Sequence, residues 1–187
     1  MKRSIVLLSL LAISITSAYA LQSTETETQA KTKIEQFSAK TGVVLIRGFE
    51  KIGTAQGLYN TSVNIETKEF TNVNDSSKQY GITIEAFKEA GTYDKKNTSF
   101  IDFDEIESLI QGIDYITKVT VDVTKLENFQ ADYTTKGALK ISTFSSSDKL
   151  MAAVTSGNVA AYFNIEDLAE VKFLLLKAKQ KIELIKQ

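Results

Sequence analysis

The chain has no cysteine, no histidine, no proline and no tryptophan. Without cysteine it cannot form a disulfide, a thiolate metal site or a thiol redox centre. Without histidine it cannot build a Ser-His-Asp or Cys-His nucleophile, and a zinc site of the usual His/Cys kind cannot form. Haem ligation loses its usual donors. The lack of proline removes slow prolyl isomerisation from folding and leaves fewer loop residues of fixed φ. Carboxylate, Ser-Lys and tyrosine chemistry and oxygen-ligand cation binding remain open.

What is present begins with an address. Lys2 and Arg3 precede an apolar run from Ile5 to Ile15, and Ala18-Tyr19-Ala20 follows as a small-x-small pattern. This is the layout of a secretory signal peptide over residues 1–20. The run is short of the roughly 20 apolar residues that a membrane-spanning helix needs. Cleavage after Ala20 takes away two basic residues and no acid, leaving 20 Lys and Arg against 23 Asp and Glu. The expected mature chain therefore carries a charge of −3 and must hold together by core packing and backbone hydrogen bonds alone. Such a charge gives no long-range attraction to nucleic acid or acidic lipid. The expected location is the periplasm or the extracellular medium of a bacterium. No stable membrane insertion is expected after cleavage. The partner, an envelope or extracellular one, and the oligomeric state are not specified by these patterns.

The remaining pattern is α+β. Residues 21–41 read as a polar start, Gln22 to Thr28, and a short helix over 27–40 with Ala30, Ile34 and Phe37 on one stripe. Lys40 and Gly42 serve as its stop signals. A first sheet-plus-helix unit is expected over 42–117. Val43 to Ile46 reads as a strand covered on both faces, Gly48, Gly53 and Gly57 as a turn or bulge region, and Val63/Ile65 and Ile82/Ile84/Ala86 as alternating strands. Asn74 to Ser77 and Gly91 to Asn97 read as turns, and Ser99 to Phe103 as a short strand. A helix then carries Ile106, Leu109, Ile110, Ile113 and Ile116, with Asp102 and Glu105 at capping-box spacing.

A second unit is expected over 118–187. Val119, Val121 and Val123 alternate, as do Leu139/Ile141 and Leu150/Ala152/Val154; Phe129, Ala131 and Tyr133 share a face. Val159, Ala161 and Phe163 lead into a last helix whose buried stripe is Leu168, Val171, Leu175, Ala178, Ile182 and Ile185. Glu166, Asp167 and Glu170 early, and Lys177, Lys179, Lys181 and Lys186 late, suit the helix dipole. The two strand-to-helix junctions align at an offset of 62, Phe100 to Ile106 over Tyr162 to Leu168. The expectation is two antiparallel four-stranded sheets, each followed by a helix that packs on it, with both halves sharing one compact domain.

This ββββα order, twice over, resembles the repeat unit of the whirly-type and Pur-type single-stranded nucleic-acid-binding proteins. The resemblance covers residues 43–187 and rests on element order, with no sequence motif matched. It implies binding across basic, aromatic-bearing sheets. Export and the acidic charge point away from nucleic acid as the partner, and no binding residue carries over.

Few local motifs suggest chemistry. Ser146-Ser147-Asp148-Lys149 has S-x-x-K spacing and Lys40-Thr41-Gly42 reads K-T-G, but their order is reversed from that of penicillin-binding enzymes, and the Ser falls in a turn. Asp102/Asp104/Glu105 and Glu166/Asp167/Glu170 could bind a cation or form an acid/base pair, yet helix capping explains both and the Ca²⁺ loop pattern is absent. Gly48, Gly53 and Gly57 make no phosphate loop. Tyr59, Tyr80, Tyr93 and Tyr133 lie near turns or strand ends, where several could line one ligand surface. The sequons at Asn60, Asn74 and Asn97 read as turn chemistry. The expected function is an exported, non-catalytic binding or structural module without cofactor, metal or catalytic residue. A single-strand nucleic-acid binder and a carboxylate-dependent hydrolase are the alternatives.

Overall fold

A computed structural model describes residues 32–146 and 149–186; the signal-peptide reading and the polar start lie outside them. The element order is α1 (Lys33–Ser38), β1 (Leu45–Gln56), β2 (Thr61–Asn72), β3 (Lys78–Lys88), β4 (Lys95–Asp102), α2 (Ile106–Ile116), β5 (Gln130–Thr134), β6 (Lys140–Ser146), β7 (Lys149–Ser156), β8 (Val159–Asn164) and α3 (Leu168–Ile185). β1 to β4 form one antiparallel meander and β5 to β8 another. The expected fold class therefore stands: two antiparallel four-stranded sheets, each followed by a helix, with a short helix in front.

Period-two alternation sets the faces. Val63, Ile65, Ile82, Ile84, Ala86 and Ile101 point inward from the first sheet; Leu139, Ile141, Ala152, Val154, Ala161 and Phe163 point inward from the second. All belong to one continuous core that also holds Ile106, Leu109 and Ile113 of α2 and Leu168, Val171, Leu175, Ala178 and Ile182 of α3. A shared core of this kind makes the halves parts of one folding unit.

The helices do not cover the sheets that precede them. α2 packs on β5 and β6, and α3 packs on β1 and β2. The inner sides of β2 and β3 meet β7 and β8 directly. Each sheet is thus covered half by the other sheet and half by the helix of the other repeat. This corrects the expectation that each helix packs on its own sheet. Two glycines make the exchanged contacts close. A Cβ at Gly53 would come within 2.5 Å of Leu174 on α3, and a Cβ at Gly112 within 2.6 Å of the Tyr133 ring on β5. Hydrogen bonds join the sheets at their margins. Leu58 N–H donates to the Tyr162 carbonyl at 2.6 Å, Tyr162 N–H donates to Thr61 Oγ1 at 3.0 Å, and the buried Ser99 and Ser156 hydroxyls lie 2.8 Å apart.

Several local expectations give way. The first helix spans only Lys33–Ser38. Val44 and Ile46 are exposed, because β1 is an edge strand rather than a strand covered on both faces. The turn-or-bulge reading of the glycines holds as a bulge: Gly48 and Gly53 lie inside β1, whose register shifts between Lys51 and Gly53, and Gly57 lies just past the strand end. The fourth strand starts at Lys95, before the expected Ser99. Val119, Val121 and Val123 form no strand: Val121–Val123 is a 3₁₀ turn with Val121 and Val123 in solvent. The fourth strand of the second sheet is β8 instead. Ile185 is exposed at the end of α3, and Leu174 joins the buried stripe. Asn97 sits inside β4 and not in a turn; its side chain accepts from Ser156 Oγ at 3.1 Å.

Candidate functional site

Because the helices and the sheet-to-sheet contact occupy the inner faces, both outer faces are left open. On the first sheet the register brings Arg47 beside Phe70, Phe49 beside Lys68, Asn64 beside Glu85, and Thr83 beside both Glu66 and Phe100. Residues directly across an antiparallel pair share a face. The outer face is therefore aromatic and charged, while the inner face is aliphatic.

α1 closes one end of this face. Its six residues are too few to be stable alone, and three devices hold them. Thr32 and Glu35 form a reciprocal capping box: Glu35 N–H donates to Thr32 Oγ1 at 3.2 Å and Thr32 N–H to Glu35 Oε2 at 2.9 Å. The Asp102 carboxylate, 1% exposed, accepts from the N–H groups of both Lys33 and Ile34 at 3.0 Å. Ile34 and Phe37 then bury themselves on Phe70, with Leu45 and Phe100 alongside. This corrects the Asp102/Glu105 capping box expected for α2. Asp102 makes no side-chain cap there because it caps α1, 69 residues earlier in the chain. Asp104 adds an ion pair to Lys33. Glu105 accepts from Lys136 N–H at 2.8 Å through one oxygen, and its other oxygen is buried with no partner among the described residues.

The result is a cup of about 540 Å³ with α1 as its end wall, floored by Asn64, Glu66, Lys68 and Phe70 of β2. Arg47 and Phe49 form one side and Thr83, Glu85, Thr98 and Phe100 the other. Phe49 is 71% exposed. Lys68 lies 5.0 Å from the Phe49 ring centre and 2.6 Å from Glu66, and Arg47 lies 5.8 Å from the Phe70 ring centre. Arg47 Nη2 donates to the Ser38 carbonyl at 3.2 Å. A polar chain crosses the floor: Thr54 Oγ1 donates to Asn64 Oδ1 at 2.6 Å, and Asn64 Nδ2 to Glu85 Oε1 at 3.1 Å. Two cations and two carboxylates line the cup, so it is neutral overall. Aromatic walls with a few directed polar groups are the usual makeup of a ligand site.

The second sheet carries a smaller concavity, about 280 Å³, between Phe144 and Tyr162, with Lys140, Gln130 and the small residues Ser142, Ala153 and Ala160. Tyr162 meets Tyr59 and Phe144 edge to face at 6.0 and 6.5 Å. The offset of 62 that aligns the junctions places Phe100 in one concavity and Tyr162 in the other.

The four tyrosines near turns and strand ends do not converge. Tyr59 stands edge to face with Tyr162, Tyr133 packs against Gly112, Tyr80 lies under Lys186, and Tyr93 is exposed in a loop. The S-x-x-K segment spans the β6–β7 hairpin, with Ser147 and Asp148 outside the described residues, and K-T-G lies between α1 and β1. Asp167 accepts from Asn164 Nδ2 at 2.8 Å at the start of α3. Among the described residues no group of three or more acids could hold a metal ion, and no helix is long and apolar enough to cross a membrane. The residues that line the cup were not singled out by sequence. Their signal was the polar side of β2, where Phe70 follows Asn64, Glu66 and Lys68 on a face otherwise free of large apolar groups. The chain matches no family model, no curated protein and no solved structure.

Proposed function

We propose that this protein is an exported, non-catalytic binding module that receives its ligand in the outer-face cup of the first sheet. The observation that carries the proposal is the aromatic lining, Phe49 and Phe100 on opposite sides and Phe70 in the floor, of a cup whose charges cancel. A neutral or zwitterionic ligand that offers an apolar face together with hydrogen-bonding groups fits that chemistry. Lys68 and Glu66 already neutralise each other, and Glu85 is held by Asn64, so the cup carries no net field to draw in a polyanion. The Lys2 to Ala20 layout supports export.

A single-stranded nucleic acid is the second reading, favoured by the interleaving of Phe49, Phe70 and Phe100 with Arg47 and Lys68. Glu66 in the floor and Glu85 on the side weigh against it, since both would repel phosphates in the cup. The same two acids are what a carboxylate-dependent hydrolase would use, but each is partnered by a cation or an amide on the floor itself. Titration calorimetry against neutral oligosaccharides, zwitterionic peptides and oligodeoxynucleotides separates these readings. The proposal expects binding by one of the first two groups, weak dependence on salt, no turnover, and loss of binding in Phe49→Ala and Lys68→Ala. Binding of the oligonucleotide alone, with affinity falling steeply as salt rises, would replace it with the second reading. Turnover abolished by Glu66→Gln or Glu85→Gln would replace it with the hydrolase.

A further inference from the structure

A second surface, on the opposite side of the first sheet from the cup, has unspent apolar groups. The solvent side of α3 carries Ala169, Phe173, Leu176, Gln180 and Leu184 at spacings of four, three, four and four, the seam of a helix that packs against another helix. Phe173 is 53% exposed and Leu176 39%. The charged groups of α3 that face the rest of the chain are used internally: Lys172 pairs with Asp114, Lys179 with Glu107 and Glu183, and Lys181 with Glu50. Glu170 and Lys177, both flanking the apolar seam on the same side, have no ion-pair partner among the described residues. Lys177 only overhangs the Phe173 ring, at 5.5 Å.

From this pattern we infer that the occupant of the seam is a second copy of the chain, with the two α3 helices antiparallel about a two-fold axis. A two-fold interface must be complementary to itself. In an antiparallel helix pair the flanking residues on one side of the seam meet those on the same side of the partner. With Phe173 seated on the partner's Leu176 and Ala169 opposite the partner's Gln180, Glu170 and the partner's Lys177 lie on the same flank about 3 Å apart along the axis, within side-chain reach, as do Lys177 and the partner's Glu170. One register thus packs Phe173 and Leu176 against each other twice and brings both unpartnered charges to opposite ones. In the opposite, parallel arrangement the side that carries Glu170 and Lys177 would face the partner's other flank, where Lys172 and Lys179 are already paired within their own chain. The paired stretch, Ala169 to Gln180, is about 16 Å long, so the interface is small and the dimer weak.

Sedimentation equilibrium of the purified protein from micromolar to near-millimolar concentration tests this. A reversible monomer–dimer equilibrium is expected. Phe173→Asp, at an exposed position, should leave the melting temperature unchanged and the protein monomeric throughout. Glu170→Lys and Lys177→Glu each create two like-charge contacts and should weaken the dimer about tenfold or more. The double variant restores both pairs in reverse and should return the dissociation constant to near its original value. A wild type that stays monomeric, a dimer indifferent to Phe173→Asp, or a double variant no tighter than either single one overturns the inference.

Discussion

Replacing Gly112 by alanine should destabilise the protein, although the same change in a free helix would do the opposite. Gly112 is buried midway along α2, and a methyl there would lie 2.6 Å from Cγ and Cδ2 of Tyr133 and 2.8 Å from Cε2. Carbon atoms pack at about 3.5–4.0 Å, so the overlap is roughly 1 Å along one edge of the ring. Overpacking a core contact costs about 1–3 kcal/mol, against a gain in helix propensity of about 1 kcal/mol. The net expectation is a loss of up to ~2 kcal/mol, or a fall in melting temperature of about 2–4 °C per kcal/mol for a chain of this size. The diagnostic is a change of sign. In a Tyr133→Ala background the overlap is gone, and Gly112→Ala should stabilise by about 1 kcal/mol. Urea denaturation of the four proteins, read at constant slope, gives the coupling directly. If Gly112→Ala stabilises the protein while Tyr133 is present, α2 does not lie on β5 and the exchange of helices is wrong.

Other expectations follow from the same contacts. Asp102→Ala removes the acceptor for two N–H groups of α1; it should cost about 1–3 kcal/mol and open the 32–44 segment to limited proteolysis. Acid should loosen α1 as well. The hydrogen bond from the Lys33 ammonium holds the Asp104 carboxyl below its ordinary range. A carboxyl with a lowered folded value stabilises fully above its unfolded value and loses that contribution as pH falls through the folded one, so the Asp104 tether fails below about pH 4. The same bond raises Lys33, whose contribution is complete at neutral pH and is lost only as pH rises above about 10.4; proteolysis or the amide spectrum of residues 33–38 across pH reads both limits. Ile113→Asp and Leu175→Asp, at positions 1% and 0% exposed, should each destabilise by about 3–5 kcal/mol in urea denaturation. Phe49→Ala should change stability by less than about 0.5 kcal/mol while abolishing binding in the calorimeter.

The elements were legible where burial imposes a period. Ile82, Ile84 and Ala86 alternate because one face is covered, and Ile106 to Ile116 repeat at helical spacing because one stripe is. Elsewhere tertiary context overrides local pattern. Val119, Val121 and Val123 alternate like a strand but find no neighbour to pair with. The acidic run at the end of β4 has the spacing of a local cap, yet Asp102 serves a helix 69 residues away. No periodicity can tell which sheet a helix will cover, since α2 and α3 present the same apolar stripe to either one; only Gly53 and Gly112, small where Leu174 and Tyr133 approach, record the exchange. The cup was hidden for a similar reason. Arg47, Glu66, Glu85 and Phe100 are ordinary strand residues until the register sets them side by side.

The exchange of helices makes the sharpest demand on experiment. Residues 32–117 carry α2 but lack the β5–β6 surface it covers, and residues 118–186 carry α3 but lack β1 and β2. Thermal unfolding followed by near-ultraviolet circular dichroism should find neither fragment cooperatively folded alone, and a native-like transition when the two are mixed in equal amounts. A single fragment that melts cooperatively as a monomer, with fixed tertiary signal, would show that each sheet is completed by its own helix and would contradict the architecture from which the cup follows.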